Sequence, residues 1–151
     1  MPLKSTGIYS PLGALLLVCS VCFSGQLFSA GLNIQVNGLA SVEGRLVVRI
    51  YNSADGFPKD EDKANVTREY QITAANMWLT YGQLAPGEYA IVVFHDKNSN
   101  GILDTNFLGI PKEAIGASGN KKGYPTFRKS RFDITEAMQV KVIEITLSEL
   151  F

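Results

Sequence analysis

The sequence predicts an all-β protein: one antiparallel β-sandwich of immunoglobulin- or transthyretin-like Greek-key type, with about seven strands and a long ordered loop before the C-terminal strands. Three observations carry this reading. Short runs alternate apolar and polar residues at period two; turn groups such as "NGL", "ADGFP" and "LAPGEY" separate the runs; and no stretch sustains apolar residues at i, i+3, i+4. A chain of 151 residues, 46% hydrophobic, is long enough for one real core and too short to expect two.

Residues 1–30 stand apart from the rest. Lys4 supplies a positive start, Leu12 to Phe23 ("LGALLLVCSVCF") an apolar stretch, and "GQLFSA" a small-residue exit ending at Ala30. This is the pattern of a secretory signal peptide, and the stretch is shorter than the roughly twenty apolar residues a spanning helix needs. The expected location is therefore secreted or periplasmic, with one domain over 31–151 and no transmembrane segment after cleavage. Cys19 and Cys22 both fall in the leader, so the exported domain carries no cysteine and is held without disulfides. A lipid-modified Cys19 is disfavoured by the bulky Val18 before it.

The strands follow in order. In "LNIQVNGL", Leu32, Ile34 and Val36 alternate with Asn33, Gln35 and Asn37, and in "GRLVVRIY", Leu46, Val48 and Ile50 alternate with Arg45 and Arg49. Each predicts a strand with one buried face. "REYQI" near Tyr70, "MWLTY" near Trp78 and "SRFDI" near Phe132 are further strands. "YAIVVF", Tyr89 to Phe94, is apolar on both faces and predicts a central strand. In "KVIEITL", Ile143, Ile145 and Leu147 face away from Glu144 and Thr146. "ITEAMQ" and "EDKANVTRE" can each form a helical turn. Asp60, Glu61 and Asp62 fit a solvated loop.

Between Asp96 and about Arg131 lies a connection rich in Gly and Pro, with no clean strand, and uncommonly long for a compact domain unless it has a function. Its Ile102, Leu103, Phe107, Leu108, Ile110, Tyr124 and Phe127 are expected to pack on the sandwich. It opens with "HDKNSNGILDTN", which places Asp96, Asn98, Asn100 and Asp104 at offsets 1, 3, 5 and 9, the Ile102 carbonyl at offset 7 and Gly101 at offset 6. Hard oxygen donors on that spacing suit Ca2+, and the glycine suits the sharp turn. The bidentate Glu of offset 12 is replaced by Phe107, so Glu113 would have to fold back to complete the shell. The competing reading has the Asn and Asp side chains capping nearby amides around an Asn100-Gly101 turn, with no ion.

These residues also carry a resemblance. "YNSADGFP", "LAPGEYAIVVFHDKNSNGILDTNFLGIPKEAIGASGN" and the "PTF" before the final strand pair resemble the bacterial family catalogued as domain of unknown function 2141, over about Leu32 to Leu147. His95 to Pro111 is the most specific part. The chain departs from the family pattern at Gly116, Ala117 and Ser118, where a Gly-Phe-Ser step is usual. The resemblance implies a secreted or periplasmic domain of β-sandwich type and supplies no activity.

Other candidates are weaker. His95 is the one histidine, at a strand end beside Asp96, and neighbours in a strand face opposite ways; a structural His bonded to a loop carbonyl is expected. Ser118 in "GASG" lacks the strand-to-helix setting of a nucleophile elbow. Lys121, Lys122, Arg128, Lys129 and Arg131, interleaved with Tyr124 and Phe127, form a basic cluster best explained as a solvated loop. Asn65 in "NVT" fits a glycosylation sequon. Lys plus Arg equals Asp plus Glu at 14 each, which argues against a nucleic-acid partner. A transthyretin-like hydrolase would need several histidines and a C-terminal "YRGS", and this chain ends "LSELF". No nucleophile, base and oxyanion site assemble, so the expected function is an exported, non-catalytic module of the cell envelope or extracellular space, binding Ca2+ through Asp96 to Asp104. The alternative is a secreted enzyme, or a protein that binds anionic glycans or lipids through the loop 96–131.

Overall fold

The computed structural model describes residues 30–119 and 123–150. The expected leader, residues 1–30, lies outside the described residues except for Ala30, the first residue of the first strand. Among the described residues eight strands form two sheets: β1 (Ala30–Asn37), β2 (Arg45–Tyr51), β3 (Val66–Gln71), β4 (Met77–Leu84), β5 (Gly87–Asp96), β6 (Ile115–Ala117), β7 (Phe132–Ile134) and β8 (Val140–Thr146). The three-stranded sheet runs β4-β1-β8; the other runs β3-β2-β5-β6, with β7 also on β5. No helix among the described residues is long and apolar enough to cross a membrane.

The all-β sandwich is as expected, with two refinements. Every pair is antiparallel except β1 with β8, which is parallel and in register Ile34 to Ile143 and Val36 to Ile145. A parallel neighbour needs a long crossover, and here residues 38–139 lie between the two strands. That register sets equivalent apolar positions side by side toward the core. The second refinement is β6, inside the connection that showed no strand. It is three residues long with Gly116 in the middle, too short for alternation to register. A Cβ at Gly116 would stand 2.6 Å from the Thr146 carbonyl, so the glycine lets β6 approach the end of β8.

Helix is scarce. A 3-10 turn at Glu61–Lys63 falls within "EDKANVTRE", and residues 135–138 close a turn with Met138 N donating to the Thr135 carbonyl at 3.0 Å, without becoming a helix. The four-residue helix α1, Phe127–Ser130, was not signalled by periodicity.

Leu32, Ile34 and Val36 of β1, Leu46, Val48 and Ile50 of β2, Ile91 and Val93 of β5 and Ile143 and Ile145 of β8 meet between the sheets. At about 1.5–3 kcal/mol for each fully buried aliphatic side chain, this layer is the main source of stability. The opposite face of β2 and β5 is buried as well, contrary to the one-faced reading of β2. Val47, Tyr51, Val92 and Phe94 are covered by Leu103 and Ile115, with Phe57, Phe127 and Leu150 packed against them. The long connection and the 52–65 loop therefore act as a second layer over the sheet, which is why β5 is apolar on both sides.

Candidate cation site

The Asn-rich loop begins where β5 runs out. Asp96 is its last residue, fully buried, and its carboxylate closes the turn: Oδ1 accepts from Asn100 N at 3.2 Å and Oδ2 from Gly101 N at 2.7 Å. Asn98 Oδ1 accepts from Asn100 N at 3.2 Å, and Asn100 Oδ1 from Ile102 N at 2.7 Å. Ser99 and Gly101 take positive φ, 57° and 74°. At these residues the chain reverses, as the Asn-Gly step and the short polar side chains allow.

The side chains converge. Asp104 Oδ2 accepts from Asn98 Nδ2 at 2.8 Å and from Asn100 Nδ2 at 3.2 Å. Glu113 does fold back: Oε1 accepts from Lys97 N at 3.2 Å and Oε2 from Asp104 N at 3.2 Å, so one carboxylate ties both ends of the loop. Burial raises the Glu113 pKa, the two amides oppose the shift, and the charges of Asp96 and Asp104 add to it. Glu113 thus lies in the field of both Asp96 and Asp104. Among the described residues no group of three or more His, Cys, Asp or Glu is placed to hold a metal ion. A cation here would need the Asn oxygens and a backbone carbonyl to complete its shell, and the Asn side chains would have to exchange their present bonds to Asp104 for it.

Arg49 was missed by the sequence reading, which set it on an exposed face. It is buried, with one guanidinium nitrogen donating to the Lys59 carbonyl at 2.8 Å and the other to Glu61 Oε2 at 2.8 Å and the Gly101 carbonyl at 2.8 Å. Its guanidinium also lies 5.2 Å from the Phe94 ring centroid. Arg49 thus staples the 52–65 loop to the Asn-rich loop across the sheet. A clue was present, since Val47 and Tyr51 share its parity and are apolar. Nearby, burial pushes the Tyr51 phenol up to about 12, so it stays neutral and donates to the Asp60 carbonyl at 3.0 Å.

The remaining candidates resolve structurally. The His95 ring is buried, with Nε2 2.6 Å from the Glu43 carbonyl. Ser118 is buried, its hydroxyl donating to the Ser130 carbonyl at 2.5 Å and accepting from Ile91 N at 2.9 Å, a strand-to-loop tie with no open face. Asn65 is exposed, its side-chain oxygen accepting from Asn52 N. Of the basic cluster, Lys121 and Lys122 lie outside the described residues, Arg131 pairs with Glu88 at 3.1 Å, and Arg128 and Lys129 are exposed on α1.

One expectation about the connection fails. Leu103 is buried and Phe127 packs on the outer core, but Ile102, Leu108 and above all Phe107, 95% exposed, point into solvent. The tip is shaped by local hydrogen bonds rather than by packing. Asn106 Oδ1 accepts from Leu108 N at 2.9 Å and Ile110 N at 3.0 Å, and Asn106 N donates to the Ile110 carbonyl at 2.8 Å.

The loop and the strands that carry it lie inside a known sequence pattern. The family described as an uncharacterized protein conserved in bacteria (DUF2141) matches residues 34–142, from β1 into β8. The chain belongs to this family. The DUF2141 match takes in Asp96 to Glu113 whole, together with Arg49. Comparison with curated proteins and with solved structures gives no match.

Proposed function

We propose that this DUF2141 chain is an exported, non-catalytic β-sandwich module of the cell envelope or extracellular space that holds Ca2+ through Asp96, Asn98, Asn100, the Ile102 carbonyl and Asp104, with Glu113 beside them. One observation supports the reading: the Asn98 and Asn100 side-chain nitrogens both donate to Asp104 Oδ2, which keeps these oxygen-bearing side chains within reach of one another, while Glu113 accepts from the Lys97 and Asp104 amides in the same loop. Like charges so placed repel, and a divalent cation replaces that repulsion with attraction to hard oxygens. Export is supported by the apolar leader and by the absence of cysteine after residue 30.

The test is a thermal melt of the mature chain in millimolar calcium and in chelator. At a hundred times the dissociation constant, calcium stabilises by about 2.7 kcal/mol, and Asp96→Ala or Asp104→Ala abolishes the rise. A transition that does not move between calcium and chelator leaves an Asn-rich turn and ends the cation reading. N-terminal sequencing of the purified protein checks export: a start near residue 30 supports it, and an intact Met1 on soluble cytoplasmic protein overturns it.

A further inference from the structure

The tip between Asp104 and Pro111 has no role in the cation reading. Thr105 and Pro111 bridge at its base, Gly109 N donates to the Asn106 carbonyl at 2.9 Å, and Phe107 and Leu108 project from the turn, 95% and 67% exposed. Ordered apolar side chains held in water on a convex tip call for an explanation. Cations and a polar-edged aromatic ring stand at the base of this tip. Lys59 Nζ donates to the Gly109 carbonyl at 3.0 Å and lies 5.7 Å from the Tyr124 ring centroid, and Lys112 follows Pro111 with its side chain exposed. Tyr and Lys flanking an apolar point are what a bilayer interface selects, the ring at headgroup depth and the ammonium against phosphate.

We infer that Phe107 and Leu108 form a wedge that inserts into a lipid bilayer, with Lys59 and Lys112 meeting anionic headgroups. Size separates this occupant from a folded protein. Two side chains on a protrusion offer far less than the roughly 800 Å² that each partner of a stable protein pair buries. A bilayer accepts a small convex wedge without a matching surface. The wedge does not require a bound cation, since its turn is closed by Asn106.

The experiment is co-sedimentation of the mature chain with phosphatidylglycerol/phosphatidylcholine vesicles, in millimolar calcium and in chelator, against a Phe107→Ser/Leu108→Ser variant. Both side chains are exposed, so the variant keeps the wild-type melting temperature. The inference expects sedimentation in at least one condition and about a tenfold or greater fall in partitioning for the variant. In a Trp78→Phe background, Phe107→Trp should add a blue-shifted emission on mixing with vesicles. No sedimentation in either condition, or equal sedimentation of the variant, overturns the wedge. So does a wild-type dimer that the double substitution dissociates, which would assign the tip to a second copy of the chain. The calcium melt of the double variant reports on the cation loop separately, so failure of one reading is distinguishable from failure of the other.

Discussion

Replacing Arg49 by Met keeps the apolar stem and removes the guanidinium. Two part-buried acceptors, the carbonyls of Lys59 and Gly101, then lose donors that stood at 2.8 Å. A hydrogen bond from a charged donor contributes about 1.5–3 kcal/mol, while the Glu61 pair adds about 0–1 kcal/mol because that carboxylate is 54% exposed. Both carbonyls belong to loops that water can partly re-enter, so the expected loss is about 3 kcal/mol. For a domain of this size that is a fall of about 10 °C in melting temperature. The assay is a melt in chelator, followed by calcium titration of the folded variant. Arg49 also holds Gly101 in place, so on the proposed cation reading the variant should bind calcium more weakly even though none of the proposed ligands has changed. Arg49→Lys should recover little, since a single ammonium cannot reach three acceptors in fork geometry. A loss below about 1 kcal/mol would refute the staple, and unchanged calcium affinity would refute its link to the loop.

Glu113 should make the metal-free fold sensitive to pH. Its folded pKa lies above the ordinary 4.5, chiefly through burial, so the folded state holds the proton more tightly than the unfolded one. The stability this contributes is full below the unfolded value and is lost as pH rises through the folded value. Melts in chelator should show that decline, Glu113→Gln should flatten it, and calcium should stabilise more as pH rises, since ion and proton compete. A wild-type profile parallel to that of the variant would dismiss the effect. Gly101→Ala should cost about 1 kcal/mol or more, because φ of 74° is strained for any residue with a Cβ. Space is not the obstacle there, as the nearest atom to such a Cβ is Glu69 Oε1 at 3.5 Å. An unchanged melting temperature for this variant would refute the strain argument.

Much of the architecture was legible because strand alternation is local. Leu32, Ile34 and Val36, or Ile143 and Ile145, declare their face from two residues away, and Tyr89 to Phe94 declared burial on both sides. The tight turn from Asp96 to Asp104 was equally readable, since Asn and Asp side chains cap the amides beside them. β6 and α1 were not, because three or four residues carry too little periodicity to rise above the loop around them.

Contacts between distant segments decided the rest. Whether Arg49 faced water or a closed layer depended on Gly101, 52 residues further on, folding over the sheet. Phe107 and Leu108 differ from Leu103 in nothing a hydropathy pattern records, yet Leu103 is buried and they are not, since Asn106 turns the chain outward between them. The chain alone determined which residues can be buried and where the Asn-rich loop turns. Only the folded layers determined which apolar residues found a partner, because burial requires a second surface and that surface comes from elsewhere in the sequence.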